Sequence, residues 1–189
     1  MMRIITGKAR GIRLATLEGE NTRPTSERAK EAVFSMLQFE IEGREVLDLF
    51  AGSGQMGLEA VSRGASCAVL VDKAKDAAAV ISKNIEKTKL GDSCRLFCAD
   101  VNDYIRTSAG RRKFDIVFID PPYALHAVPA TLEALLKAGL LKPTSTVVCE
   151  SEESDVFATN PQLGEQFEVL KCAKYGMAHV TILKPAGLN

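Results

Sequence analysis

A chain of 189 residues holds one domain with a proper core and leaves little room for a second of ordinary size. Its 46% hydrophobic and 25% charged residues are those of a globular protein, which excludes a disordered or fibrous chain. The 24 basic and 24 acidic residues cancel, so net charge supplies no argument for a polyanionic partner and its distribution has to. From Met1 to Lys30 the bases Arg3, Lys8, Arg10, Arg13, Arg23, Arg28 and Lys30 outnumber Glu18, Glu20 and Glu27, whereas the remainder is mildly acidic. Cys67, Cys94, Cys98, Cys149 and Cys172 are scattered, mostly within apolar strand-like runs, and contain no C-x-x-C pair. They are expected to be core thiols in a reducing compartment, and Cys94, Cys98 and His126 have the wrong spacing for a zinc finger, so no metal is expected. The start of the chain has no apolar leader, and no run approaches the roughly 18 apolar residues of a membrane span, so a cytoplasmic protein without a membrane partner is expected.

In chain order, Arg3 to Thr6 and Gly11 to Leu14 are short strand candidates around the turn Gly7-Lys8-Ala9-Arg10-Gly11, which predicts a hairpin with basic charge at its tip. Thr25 or Ser26 then caps a predicted helix through about Gln38, with Ala29, Val33, Phe34 and Leu37 as its apolar stripe. Residues 1–43 thus form a basic hairpin-and-helix extension of one domain spanning 1–189. From Glu45 onward, apolar strands and helices alternate: Val46 to Phe50, Gly57 to Arg63, Cys67 to Val71, Lys75 to Thr88, Cys94 to Cys98, Val101 to Thr107, Phe114 to Ile119, Val128 to Ala138 and Thr146 to Cys149. Such alternation predicts an α/β, Rossmann-like, doubly wound sheet, mostly parallel and covered on both faces. Phe167 to Cys172 and Ala178 to Leu183 follow with only a short turn between them, Lys174-Tyr175-Gly176, and predict a C-terminal antiparallel hairpin.

The run Asp48-Leu49-Phe50-Ala51-Gly52-Ser53-Gly54-Gln55-Met56-Gly57 places glycines between an apolar strand and a helix, where they permit a tight turn and close approach by a ligand. Gly52, Gly54 and Gly57 also fit a dinucleotide fingerprint, and Asp72 falls where a ribose-binding acid belongs. An acid at Asp48 suits the ammonium of a methionine moiety and would repel a pyrophosphate, which favours S-adenosylmethionine. Asp72 would accept from the ribose hydroxyls and Asp100 from the adenine amino group. All three acids fall at the carboxyl ends of strands, where ligands of such sheets bind.

Directly after the strand Phe114 to Ile119 comes Asp120-Pro121-Pro122-Tyr123. The amino group of a nucleobase is a poor nucleophile because its lone pair is delocalised into the ring. A carboxylate at Asp120 and a backbone carbonyl, assigned to Pro121, accept its two hydrogens and favour a pyramidal nitrogen, while Pro122 stiffens the loop and Tyr123 stacks on the base.

At these residues the chain resembles the class I S-adenosylmethionine-dependent methyltransferases, whose seven-stranded sheet ends in an antiparallel hairpin and whose amino-methylating members carry Asn/Asp-Pro-Pro-Tyr/Phe. Over its whole length it resembles the RsmD-type 16S ribosomal RNA (guanine-N2)-methyltransferases, through Arg3 to Gly11, Arg23-Pro24-Thr25, Glu31-Ala32-Val33-Phe34, Asp48 to Gly57, Asp120 to Tyr123 and Tyr175-Gly176. The resemblance implies that Asp48 and the Ala51-Gly52-Ser53-Gly54 loop hold the methionine part, Asp72 and Lys73 the ribose side, and Asp100 with Val101 the adenine edge. Arg23 and Thr25 should also touch the cofactor. It further implies a guanine of 16S ribosomal RNA, free or in a small-subunit assembly intermediate, as substrate, with Lys8, Arg10 and Arg13 on RNA phosphates. A monomer is expected.

The motif itself does not choose the base, so adenine-N6 methylation of DNA or RNA is the nearest rival. Methylation of a protein glutamine is disfavoured because, by resemblance, that chemistry prefers Asn at the position of Asp120. A dehydrogenase using NAD would leave Asp48 and Asp120 to Tyr123 without a task, and a non-catalytic RNA-binding or assembly module would retain binding without turnover.

Overall fold

The computed structural model describes residues 2–17, 27–122 and 126–187. Arg23, Thr25 and Tyr123, together with the expected helix cap at Thr25 or Ser26, lie outside the described residues. Strands β1 (Glu45–Leu49), β2 (Cys67–Asp72), β3 (Cys94–Cys98), β4 (Phe114–Ile119), β5 (Leu141–Ser151), β6 (Phe167–Tyr175) and β7 (Ala178–Pro185) form one sheet in the order β3-β2-β1-β4-β5-β7-β6. The first five are parallel, and β7 runs antiparallel to both β5 and β6. This is the expected Rossmann-like seven-stranded sheet with its C-terminal antiparallel hairpin.

The helices are α1 (Glu27–Met36), α2 (Gln55–Ser62), α3 (Lys75–Thr88), α4 (Val101–Ser108), α5 (Val128–Lys137) and the single turn α6 (Pro161–Gly164). Alternation along β1 sends Val46 to one face, with Leu58 of α2, Ile81 of α3 and Phe118 of β4, and Leu47 and Leu49 to the other, with Ile105 of α4 and Leu132 of α5. Both faces of the central strands are therefore buried, which is why those strands read as nearly continuous apolar runs. α3 packs through Ala77, Ile81, Asn84 and Thr88, a stripe at helical spacing.

The N-terminal arm turns back on itself as expected and is in addition docked on α2. Arg3 and Arg13 form a single antiparallel bridge, flanked by backbone bonds from Ile4 N to Ile12 O (3.0 Å) and from Leu14 N to Met2 O (3.0 Å). Other amides of the arm are committed to α2 instead. Ile5 N and Thr6 N donate to Glu59 at 2.7 and 3.0 Å, Lys8 N to Ser62 O at 2.8 Å and Ala9 N to Ser62 Oγ at 3.0 Å. Gly7, at φ 86°, lies so close that a Cβ there would stand 1.8 Å from Ser62 O. The arm is thus a strap laid along α2, with Ile4, Ala9 and Leu14 in the same core cluster as Phe34 and Leu58.

Three further differences have local causes. β5 begins at Leu141, ahead of the expected Thr146, because Ser145 Oγ donates to Phe114 O (2.6 Å) and accepts from Lys142 N (2.7 Å), tying the polar lead-in to β4. α6 is an addition to the expected elements, although Asn160 followed by Pro161 is a cap-and-first-turn pattern, and Asn160 Oδ1 accepts from Leu163 N at 3.3 Å. Of the five cysteines only Cys94 and Cys149 are buried, whereas Cys98 and Cys172 are exposed because they sit on the two edge strands of the sheet. All five are free thiols. Among the described residues, no helix is long and apolar enough to cross a membrane, and no group of three or more His, Cys, Asp or Glu side chains could hold a metal ion.

Candidate active site

The strand order reverses between β1 and β4, and in parallel sheets of this kind ligands bind at such a switch point, beyond the carboxyl ends of the strands. Leu49 pairs with Val71 on one side and Ile119 on the other, and Ile119 with Cys149. One residue further along, Asp72, Phe50, Asp120 and Glu150 therefore form a row on four adjacent strand ends. Asp100 lies just past β3, two residues beyond the Asp72–Cys98 pair, and Asp48 lies two residues deeper, opposite Leu70.

The turn that leaves β1 is held in an unusual backbone conformation. Phe50 has φ 60°, Gly52 φ 54° and Gly54 φ 76°, with Gly54 as the left-handed residue that starts α2. A Cβ on Gly54 would meet Leu70 Cδ2 at 2.9 Å, so both the conformation and the packing exclude a side chain. Gly54 N donates to Ala51 O at 2.6 Å and closes the turn. Ala51 and Gly54 are buried, Gly52 and Ser53 half-buried.

The three strand-end acids shape this edge from their own hydrogen bonds. Asp72 accepts from Gly52 N through Oδ2 and from Ala74 N through Oδ1, both at 2.9 Å, so it fixes the loop from the neighbouring strand. Asp100 Oδ1 caps α4 by accepting from Asn102 N at 2.9 Å. Asp48, 2% exposed, accepts from Gly57 N at 2.8 Å and anchors the first turn of α2. Burial, reinforced by the charge of Asp72 and opposed by the Gly57 bond, pushes the Asp48 carboxyl up to about 7. Lys73 is exposed beside Asp72, and Val101 is buried at the start of α4.

Asp120 is half-buried at the end of β4, Pro121 is buried and Pro122 exposed. Pro121 lines a cleft bordered also by His126, Val128, Glu150, Ser151 and Val156, which opens beside the row of strand ends. The structure thus brings Asp48, Ala51 to Gly54, Asp72, Lys73, Asp100 and Val101 to the edge where β1, β2 and β3 end, and Asp120, Pro121 and Pro122 to the adjoining end of β4. Carboxylates on successive strand ends, backed by a glycine turn where, among the described residues, a Cβ on Gly52 would meet only the Phe50 carbonyl, suit a ligand with an ammonium, a ribose and an adenine.

Two bases of the arm, Lys8 and Arg10, sit at its exposed tip, where Lys8 N donates to the carbonyl of Ser62 at the far end of α2. Arg13, also exposed, pairs with Arg3 at the other end of the arm, which Met2 and Ala15 tie to Ser53 of the glycine turn. An eight-residue helix rises about 12 Å, so the tip stands a helix length from the glycine turn. Lys30, counted above among the basic residues of the arm, is 1% exposed: its Nζ lies 3.5 Å from Glu59 Oε2 and donates to Arg3 O at 2.7 Å. The basic surface of the arm is smaller by that charge.

Four residues escaped the sequence reading. Phe50 carries the positive φ. Glu59, fully buried in α2, binds the strap. Asn84, fully buried in α3, donates through Nδ2 to Ser53 O (2.9 Å) and Ala15 O (3.0 Å) and accepts from Ala15 N (2.7 Å), so it joins the glycine turn to the arm. Glu150 follows Cys149, the register partner of Ile119, as Asp120 follows Ile119. For Asn84 the signal was present, since it is a polar residue on the core stripe of the amphipathic α3, whereas Glu59 lies in α2, which is buried at every position; in both, burial demands partners.

The family model described as Conserved hypothetical protein 95 matches residues 2–184. Ribosomal RNA small subunit methyltransferase D of Haemophilus influenzae is 33% identical over 159 residues, 84% of this chain and 82% of that one. The protein of the same name from Escherichia coli K12 is 32% identical over 160 residues, 85% of this chain and 79% of that one. Among solved structures, a hypothetical protein of Thermus thermophilus aligns with a TM-score of 0.81 at 29% identity, covering 97% of this chain and 99% of that one. The match thus takes in the arm, the glycine turn and the β4 motif together, and the chain belongs to the ribosomal RNA small subunit methyltransferase D family.

Proposed function

We propose that the protein transfers a methyl group from S-adenosylmethionine to the exocyclic N2 amine of a guanine in 16S ribosomal RNA, acting on a small-subunit assembly intermediate. Methylation of ribosomal RNA by this cofactor is the activity of the family. The observation that supports an exocyclic amine as the acceptor is the placement of Asp120-Pro121-Pro122 at the end of β4, across the switch point from the glycine turn at the end of β1, and guanine as the base rests on the resemblance to the (guanine-N2)-methyltransferases. When bound, S-adenosylmethionine supplies an electrophilic methyl group on a sulfonium leaving group. Asp48, the Ala51 to Gly54 turn, Asp72, Lys73, Asp100 and Val101, with Arg23 and Thr25, would hold it. Asp120 and the Pro121 carbonyl accept the two hydrogens of the target amine, Pro122 stiffens that loop, and Tyr123 stacks on the base, so the protein contributes orientation and proximity.

Lys8 and Arg10 contact RNA phosphates away from the reacting base, and Arg13 contacts them nearer the glycine turn. With the tip a helix length from the glycine turn, that contact requires an RNA surface wider than one loop, which favours folded RNA in a subunit particle over a short single strand. The protein acts as a monomer.

Asp48 gives this reading a pH signature. Its folded-state value of about 7 lies above the ordinary 3.8, so its contribution to stability is complete below about pH 4 and is lost as pH rises through about 7. A ligand ammonium favours the ionised carboxyl. S-adenosylhomocysteine is therefore expected to bind more tightly at about pH 8 than at about pH 6, and Asp48→Asn to weaken binding and flatten that slope. Calorimetric titration at both values measures it, and a wild-type affinity that does not change with pH removes Asp48 from the cofactor's charge recognition.

The test of the reaction is transfer of label from S-adenosylmethionine to small-subunit particles, free 16S RNA and DNA taken from cells lacking the gene, with the product nucleoside identified by mass spectrometry. N2-methylguanosine in RNA is the expected product. N6-methyladenosine would retain the chemistry and overturn the base, and binding without transfer to any substrate would leave an assembly module.

A further inference from the structure

We propose that Glu150 reads the base: resting on the reading above, its carboxyl group accepts the N1–H of the target guanine while Asp120 engages the N2 amine, and this pair makes the site specific for guanine over adenine.

Glu150 belongs to β5, in which Val148 faces the same core cluster as Phe118 of β4, and Cys149 and Ile119 both face the opposite one. Alternation then returns Glu150 to the Val148 side of the sheet, in agreement with its pairing to Val180, which belongs to the same cluster. Asp120 follows Ile119 by one residue, as Glu150 follows Cys149, and Ile119 pairs with Cys149. The backbones at the two acids thus leave the last registered pair of adjacent parallel strands together, at a strand spacing of about 5 Å, at the end of the sheet where ligands bind. Glu150 is 8% exposed and borders the cleft that Pro121 also lines.

Guanine presents N1–H and N2–H side by side on its Watson–Crick edge, two donors that match two adjacent acceptors. Adenine presents its amine beside N1, which is itself an acceptor. With the adenine amine at Asp120, its N1 lone pair would face the Glu150 oxygens, acceptor against acceptor. Sites built around a hydrogen bond from the substrate reject analogues that lack it far more strongly than apolar pockets reject a missing methylene. The Asp-Pro-Pro-Tyr sequence serves either amine, so the choice between them falls to a neighbouring strand.

The probe is 2-aminopurine, which keeps the 2-amino group but has an unprotonated N1. Small-subunit particles are prepared with guanine or 2-aminopurine at the nucleotide that the wild-type protein methylates, and kcat/KM is measured for the wild type and for Glu150→Gln. Wild type is expected to prefer guanine by roughly 100-fold or more. The variant, whose amide can donate to N1, is expected to narrow that preference to less than about tenfold while binding S-adenosylhomocysteine as the wild type does. A role confined to folding would lower both rates together and leave the ratio alone, and an unchanged ratio overturns the proposal. Should Glu150→Gln fail to fold, the wild-type comparison decides, because equal rates on the two bases exclude recognition of N1–H. Absence of N2-methylguanosine from wild-type reactions with guanine would overturn the parent reading, and this inference with it.

Discussion

Asp120→Ala is expected to lower kcat by about 10² to 10⁴ while leaving S-adenosylhomocysteine affinity within roughly threefold of the parent. The expectation follows from where Asp120 stands. It leaves β4 at the switch point, on the far side of the glycine turn from Asp72 and Asp100, and so stands apart from the residues proposed to hold the cofactor. In the proposed reaction it accepts a hydrogen of the target amine and so directs the nitrogen lone pair, an interaction worth most in the transition state. Loss of such an interaction lowers kcat and kcat/KM together. Asp120→Asn keeps one acceptor oxygen and is expected to retain more activity than the alanine variant, in keeping with the Asn or Asp found at this position in amino-methylating enzymes that the chain resembles. Single-turnover kinetics with labelled cofactor, paired with calorimetric titration of S-adenosylhomocysteine, measures both quantities. An alanine variant with full activity would refute the assignment.

The second large effect is on stability. Glu59 is fully buried and accepts from Ile5 N, Thr6 N and Arg63 Nε, the last at 2.8 Å, with the Lys30 ammonium 3.5 Å away. Burial holds the Lys30 amine below its ordinary value, and the attraction of Glu59 partly offsets this. Glu59→Ala would strand a buried ammonium and two amides in a closed site, and removal of one member of such a pair typically costs about 3 to 5 kcal/mol. In a domain of this size that corresponds to a fall in Tm of about 10 °C. Glu59→Gln keeps an acceptor for the amides and is expected to cost less. Urea denaturation read by circular dichroism measures the difference, and a loss below about 1 kcal/mol would mean that the arm does not depend on this anchor. The cost bears on function because Glu59 and Ser62 hold the strap that carries Lys8, Arg10 and Arg13.

The sheet was legible because its signal is local. The strand predictions for Cys94 to Cys98 and Phe114 to Ile119 and the helix prediction for Lys75 to Thr88 agree with the structure to the residue. A central parallel strand buried on both faces, such as Phe114 to Ile119, must be apolar nearly throughout, and a covering helix must be apolar at every third or fourth position, so each carries its own record, whereas the edge strand Cys94 to Cys98 is legible from the regular strand-helix alternation around it. The glycine turn was legible for a related reason. Left-handed backbone at Gly52 and Gly54 leaves few residue types that fit. Phe50 was not legible, since its φ of 60° contradicts what its type prefers and is imposed by the turn around it.

What the sequence determined by itself is therefore the order and kind of the elements, the glycine turn and the Asp120-Pro121-Pro122 strand end, all set by periodicity or by the stereochemistry of single residues. Tertiary structure decided which of those residues meet. The hairpin of the basic arm is legible because alternation and turn residues are local, but its docking is not, since the amides of Ile5, Thr6, Lys8 and Ala9 are satisfied by Glu59 and Ser62, more than fifty residues away. Glu150 reads as one acid after an apolar strand, and only the parallel register of β4 and β5 sets it beside Asp120. Register and docking are settled by burial of whole faces and by the need of each buried polar group for a partner, and those partners lie too far apart in the chain for spacing to reveal them.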